Sequence, residues 1–173
     1  MDRLWAPWRA SYLLNHAKVA DEGGCFLCRG LGSTDDRANL IVWRRPHSVV
    51  VLNRYPYNNG HLLVAPIVHR GDLCELADQD LLEPIETVRH CISVLDRVLQ
   101  PQGYNVGLNQ GVAAGAGLPG HLHWHIVPRW NGDSNFMPIL GDVKVIVESL
   151  DAFYARFTAE LARHPAVAAT LHA

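Results

Sequence analysis

Three histidines alternate in the segment His121-Leu122-His123-Trp124-His125-Ile126-Val127-Pro128. Imidazole titrates closest to neutrality of all side chains, so a cluster of them can supply a neutral nucleophile and a proton donor at one place. On an extended strand, residues two apart share a face. The spacing therefore predicts a strand over Leu122 to Pro128, with His121, His123 and His125 on one side and Leu122, Trp124 and Ile126 on the other. Three readings of the triad stand open on these residues alone. It can be a nucleophile with a helper, a metal cage of the kind alternating histidines build for zinc, or a row of partly exposed strand histidines.

The segment just before it, Asn109 to Gly120, carries glycines at 111, 115, 117 and 120. Such a loop lets backbone approach a ligand closely and aims amides at an anion, though glycines also serve plain turns. A second chemical pair, Cys25-x-x-Cys28, lies between Gly23-Gly24 and Gly30. Two thiolates at this spacing meet one metal ion in a tight turn, and a tetrahedral ion then needs two further ligands. The other reading is a redox or merely buried pair, although no thioredoxin-like context surrounds it.

Elements must position these groups. Leu40 to Trp43 and Ser48 to Leu52 read as a hairpin, and the turn-forming run Tyr55 to Gly60 leads into a third strand at His61 to Ala65. Leu81, Leu82, Ile85, Val88, Ile92, Leu95 and Leu99 recur at helical spacing from Asp78 onward, and Pro101 lies just past the end. Pro84 is then expected in or near the first turn. Strands at Tyr104 to Asn109 and Leu122 to Pro128 flank the glycine loop, and a last helix is expected over Val143 to Arg163. Short strands, one long central helix and no regular βαβ alternation predict an α+β domain with a mainly antiparallel five-stranded sheet. The chain divides into an aromatic N-terminal arm (1–22), a central domain with the cysteine pair (23–140) and a C-terminal helix with its tail (141–173). The arm is expected to form a helical turn near Trp8 to Leu14 and to pack on the core or a second subunit.

Composition narrows the partners. Of 173 residues, 49% are hydrophobic and 18% charged, enough for one domain with a real core. A formal net charge of −2 and the lack of a Lys/Arg run argue against extended nucleic acid. No stretch is apolar enough to span a bilayer, and the start MDRLWAPWRASYLL does not read as an export signal. A cytoplasmic setting follows as an expectation, in which reduced thiols are free to bind metal.

Taken together, Trp5-Ala6-Pro7-Trp8-Arg9, Leu52 to His61, Gly103 to Gly111, His121 to Trp130 and Gly132-Asp133-Ser134-Asn135-Phe136 resemble the histidine triad superfamily. The likeness is strongest to its zinc-containing bacterial branch of dinucleoside polyphosphate hydrolases and phosphorylases. The resemblance implies a homodimer and a covalent nucleotidyl intermediate on His123, the middle histidine. His125 would contact the phosphate and assist the departing oxygen, with His121 completing the catalytic strand. Asn53, His61, Asn109 and Gln110 would line the nucleotide pocket, Asn53 near the ribose, and the loop amides around Gly115 and Gly117 would hold phosphate. It also implies a structural zinc on Cys25, Cys28, His69 and His121, and Mg2+ arriving with the substrate. Family members often carry glutamine or serine near the position of Gly117, so hydrolysis, phosphorolysis and transfer to another acceptor all stay open. So do a nucleotide-binding regulatory protein with little turnover, a phosphoramidase, and a metallohydrolase whose histidines hold a catalytic metal.

Overall fold

The computed structural model describes residues 24–133 and 146–165. The aromatic arm, the segment 134–145 and both expected domain boundaries lie outside them. Chain order is α1 (Phe26–Leu31), β1 (Ile41–Arg44), β2 (Ser48–Leu52), β3 (Leu62–Pro66), a 3-10 turn (Leu73–Glu75), α2 (Asp78–Leu99), β4 (Gly103–Leu108), a second 3-10 turn (Val112–Ala114), β5 (Trp124–Arg129) and α3 (Leu150–Leu161). The strands form one sheet in the order β1-β2-β3-β5-β4. Every neighbouring pair is antiparallel.

The two faces of the sheet bury different things. Val50, Leu52, Leu62, Val64, Trp124 and Ile126 meet Val88, Cys91 and Leu95 of α2 and Phe153, Phe157 and Leu161 of α3 in the larger core. On the opposite face, Ile41, Val49, Val51 and Ala65 pack with Leu27 of α1 in a smaller one. Because β2 and β3 are covered on both faces, all ten of their residues are buried. Fully burying a side chain such as Leu95 contributes roughly 1.5–3 kcal/mol. The helix α2 occupies the predicted span; Gln100 closes it in the left-handed conformation, its N–H bonded to Asp96 O.

Three expectations shift. Pro84 sits in the second turn of α2, buried, one turn further in than expected. The final helix starts at Leu150, where the Ser149 side chain accepts from Ala152 N–H, and 143–145 lie outside the described residues. The strand carrying the triad begins only at Trp124, because the ladder with β3 stops at the pair Val64 and Trp124. His121, Leu122 and His123 precede it as an extended lead-in, pinned by a 2.7 Å bond from Leu122 N–H to Arg70 O.

Two glycines set these approaches. Gly60, at φ +76°, ends the turn into β3 where a Cβ would overlap Leu99 Cδ1 and crowd Pro128. A Cβ on Gly71 would collide with Pro119 O and Gly120, so only glycine lets the stretch after His69 lie against the loop leading to His121.

Candidate active site and metal centre

Each histidine of the triad has its tautomer set by a partner, as the hydrogen-bond geometry around its ring requires. His121 Nε2 lies 2.8 Å from Pro66 O. A carbonyl only accepts, so Nε2 carries the proton and Nδ1 is left with a lone pair. That lone pair faces Cys25 Sγ at 3.2 Å and Cys28 Sγ at 3.5 Å. His69 Nδ1 lies 3.2 Å from Cys28 Sγ. The four donor atoms fall within 4.8 Å of one another. Tetrahedral zinc, with bonds of about 2.0–2.3 Å, separates its ligand atoms by roughly 3.6 Å, so the four residues fit such an ion with little movement. They would hold it as a closed N2S2 shell that ties α1 to the lead-in of β5. With Cys25 capping α1 and Cys28 in its first turn, Cys25 Sγ accepts from Cys28 N–H at 3.4 Å. The expected knuckle is thus a helix start.

His123, only 5% exposed, has Nδ1 2.9 Å from the backbone O of His121. Nδ1 must donate there, which leaves the lone pair on Nε2, an atom with no hydrogen bond among the described residues. Burial holds the ring below the usual histidine pKa, so at neutral pH it is an uncharged nucleophile needing no prior deprotonation.

His125 is set by a longer relay. His61, 2% exposed, accepts at Nδ1 from Tyr57 N–H (3.0 Å) and from the Asn53 side-chain amide (3.2 Å). Its proton therefore sits on Nε2, 2.9 Å from His125 Nδ1, and His125 keeps its proton on Nε2. An N–H donor thus stands on the ring beside His123, the two centroids 5.0 Å apart. Burial, then the neighbouring His125 and His123, pushes His61 down to about 3; burial and His123 push His125 down to about 4. The cluster is a neutral, directional array rather than a cationic one.

The remaining expected residues are less uniform. Asn53 uses its amide on His61 and its oxygen on Tyr55 N–H, which leaves one N–H for a sugar. Asn109 lines the cavity beside His125. Gln110 is not among the residues lining that cavity; its Oε1 accepts from Leu73 N–H and so serves the 3-10 turn there. Gly115 N–H is spent on Val112 O, whereas Gly117 N–H has no hydrogen bond among the described residues and the residue is exposed. Of the two glycines, the structure leaves only Gly117 an amide for an anion.

Sequence reasoning missed Tyr57, Asn105 and Arg129. They line the same 460 Å3 cavity as His125. Tyr57 had a turn signature only, and the other two become neighbours through the β4–β5 register, which puts Asn105 opposite Val127.

With this geometry in place, the chain compares closely with known proteins. Residues 35–132 match the HIT domain. AP-4-A phosphorylase of Mycobacterium tuberculosis is 38% identical over 169 residues, covering 95% of this chain and 87% of that protein. Bis(5'-nucleosyl)-tetraphosphatase [asymmetrical] of Schizosaccharomyces pombe is 32% identical over 93 residues, covering 54% and 50%. A Zn-bound histidine triad family protein from Mycobacterium smegmatis superposes with a TM-score of 0.59 at 20% identity, covering 87% and 93%.

Proposed function

Because this chain belongs to the histidine triad family, with the HIT domain matched over residues 35–132, we propose that it transfers a nucleoside monophosphate from a dinucleoside polyphosphate by way of His123. The observation that carries the reading is the bare Nε2 of His123, produced by the 2.9 Å bond from Nδ1–H to His121 O. In the first step the Nε2 lone pair forms a bond to the α-phosphorus as the bond to the bridging oxygen breaks, and a nucleoside polyphosphate departs. His125 Nε2–H donates a hydrogen bond to that oxygen as it takes up charge. In the second step an acceptor oxygen bonds to phosphorus and the N–P bond breaks, restoring His123. The Gly117 amide, which has no hydrogen bond among the described residues, would be the donor for the equatorial oxygens, over which negative charge is spread.

Inorganic phosphate is the acceptor this reading favours, on the strength of the Mycobacterium tuberculosis relative's similarity along 95% of the chain; water is the other. Zinc on Cys25, Cys28, His69 and His121 would be structural, since all four positions are filled by protein and none is left for substrate. Bound there, it would hold the His121 carbonyl where that carbonyl orients His123. The homodimer, the adenine base and the cytoplasmic setting belong to the same proposal, and light scattering at twice the 19.2 kDa chain mass would support the first. Among the described residues no helix is long and apolar enough to cross a membrane.

The test is product analysis with diadenosine tetraphosphate and labelled inorganic phosphate, with and without Mg2+. Phosphorolysis gives ATP and labelled ADP, hydrolysis gives ATP and unlabelled AMP, and His123→Ala gives neither. Turnover by His123→Ala at the wild-type rate would overturn the mechanism.

A further inference from the structure

The four-ligand centre and the glycine-rich loop touch the same short stretch of chain, residues 69–73. At its head, His69 gives Nδ1 to the centre, 3.2 Å from Cys28 Sγ. The other side of that ring lies against the loop, since a Cβ on Gly120 would stand 3.3 Å from His69 Nε2. Arg70 O accepts from Leu122 N–H at 2.7 Å, next to the ligand His121. At Gly71 a Cβ would stand 2.5 Å from Pro119 O and 3.2 Å from Gly120 Cα, so backbone rests directly on backbone. Leu73 N–H then donates to Gln110 Oε1 at 3.2 Å, at the start of the loop. The stretch therefore holds both ends of the loop, with Gly117 between them.

What fixes the stretch is the ring at its head. His69 is exposed, and among the described residues its ring has a hydrogen bond only to a thiol sulfur, a weak partner. A zinc bond at Nδ1 would hold the ring far more firmly, and with it the residues that carry the loop. A loop already ordered in its binding shape loses less freedom when an anion arrives. The reverse follows, because an anion held by the loop steadies the stretch and so the His69 ligand.

We propose that residues 69–73 couple the metal centre to the glycine-rich loop, so that zinc on Cys25, Cys28, His69 and His121 and a nucleotide phosphate at the loop bind cooperatively. The inference rests on the reading of the loop as the phosphate site. It adds regulation of that site, because the zinc available then sets how tightly phosphate is held. Gln110 is a positioning residue in this scheme, acting on phosphate through the loop end that it anchors.

The zinc affinity of full-length wild-type protein, measured by competition with a chromogenic chelator, tests it in the presence of AMP or of adenosine, which lacks the phosphate. At matched occupancy AMP is expected to tighten zinc about fivefold more than adenosine does. Adenosine is the control for tightening through folding alone, so equal effects of the two overturn the proposal. Gln110→Leu removes the acceptor for Leu73 N–H, and Gly71→Ala pushes the stretch off Pro119. Both keep all four metal ligands and should bring the AMP effect down to that of adenosine. A direct contact between Gln110 and phosphate would instead weaken AMP and leave its effect at matched occupancy unmoved; an effect unmoved by both variants overturns the coupling. Calorimetry on the zinc-loaded protein separates the two readings. AMP that binds without the shift removes the coupling alone, whereas AMP that does not bind removes the nucleotide reading and the coupling together.

Discussion

Replacing His61 with glutamine should separate its charge from its hydrogen bond. Glutamine retains an amide donor for His125 Nδ1 but has no proton to gain. In the wild type His61 is held at about 3 by burial and by the facing rings of His125 and His123, against about 6.5 in the unfolded chain. A lowered folded pKa means that, as pH falls below 6.5, the unfolded chain takes up a proton that the folded one refuses. Stability is therefore greatest above pH 6.5 and drains as pH falls toward the folded value. Between pH 6.5 and 4.5 that single group removes about 2 kcal/mol, and His125, held at about 4, removes about as much again. Together they take a large part of a typical 5–15 kcal/mol folding free energy. His90 and His164, also lowered by burial, act in the same direction in both proteins and cancel in the comparison. Urea unfolding followed by circular dichroism at the two pH values gives the numbers. The wild type should lose about 2 kcal/mol more than His61→Gln over this interval. Losses equal within about 0.5 kcal/mol would refute the assignment of His61 as a neutral, buried donor.

The metal centre and the tight turns give further expectations. Metal analysis should find one zinc per chain; chelation or Cys25→Ser should lower the unfolding free energy by about 4 kcal/mol at free zinc near 1,000 times Kd, restored by zinc and not by Mg2+. Stability indifferent to chelators would remove the proposed structural role. Gly60→Ala places a Cβ against Leu99 Cδ1 at a positive φ, and should cost about 3 kcal/mol in the same urea assay. A change under 0.5 kcal/mol would show that the turn relaxes freely.

How far the sequence foretold this arrangement depended on whether the signal was local. The span of α2 was legible because its apolar period runs unbroken to Leu99 and Pro101 follows. The strand β2 was legible because Ser48–Leu52 is a compact β-branched run. The start of β5 was not, since it depends on where β3 stops pairing, a tertiary fact. The tautomers were equally hidden: they are set by Pro66 O, His121 O and Tyr57 N–H, backbone atoms that any residue supplies. The convergence of Cys25, Cys28, His69 and His121 came from the family resemblance, as spacing supplied only the cysteine pair. Gln110 entered the expected pocket through the family resemblance as well, whereas here its side-chain oxygen accepts from Leu73 N–H, a contact with a backbone atom that no residue pattern signals.

A covalent bond between His123 and the nucleotide is the central event of the proposed reaction. Intact-protein mass spectrometry after brief mixing with diadenosine tetraphosphate, quenched without acid because phosphoramidates are acid-labile, reads it in one spectrum. Wild-type protein should gain the mass of one adenylyl group, located on His123 by peptide mapping, and His123→Ala should gain nothing. An adduct on another residue, or turnover by wild type with no adduct at any quench time, would contradict it.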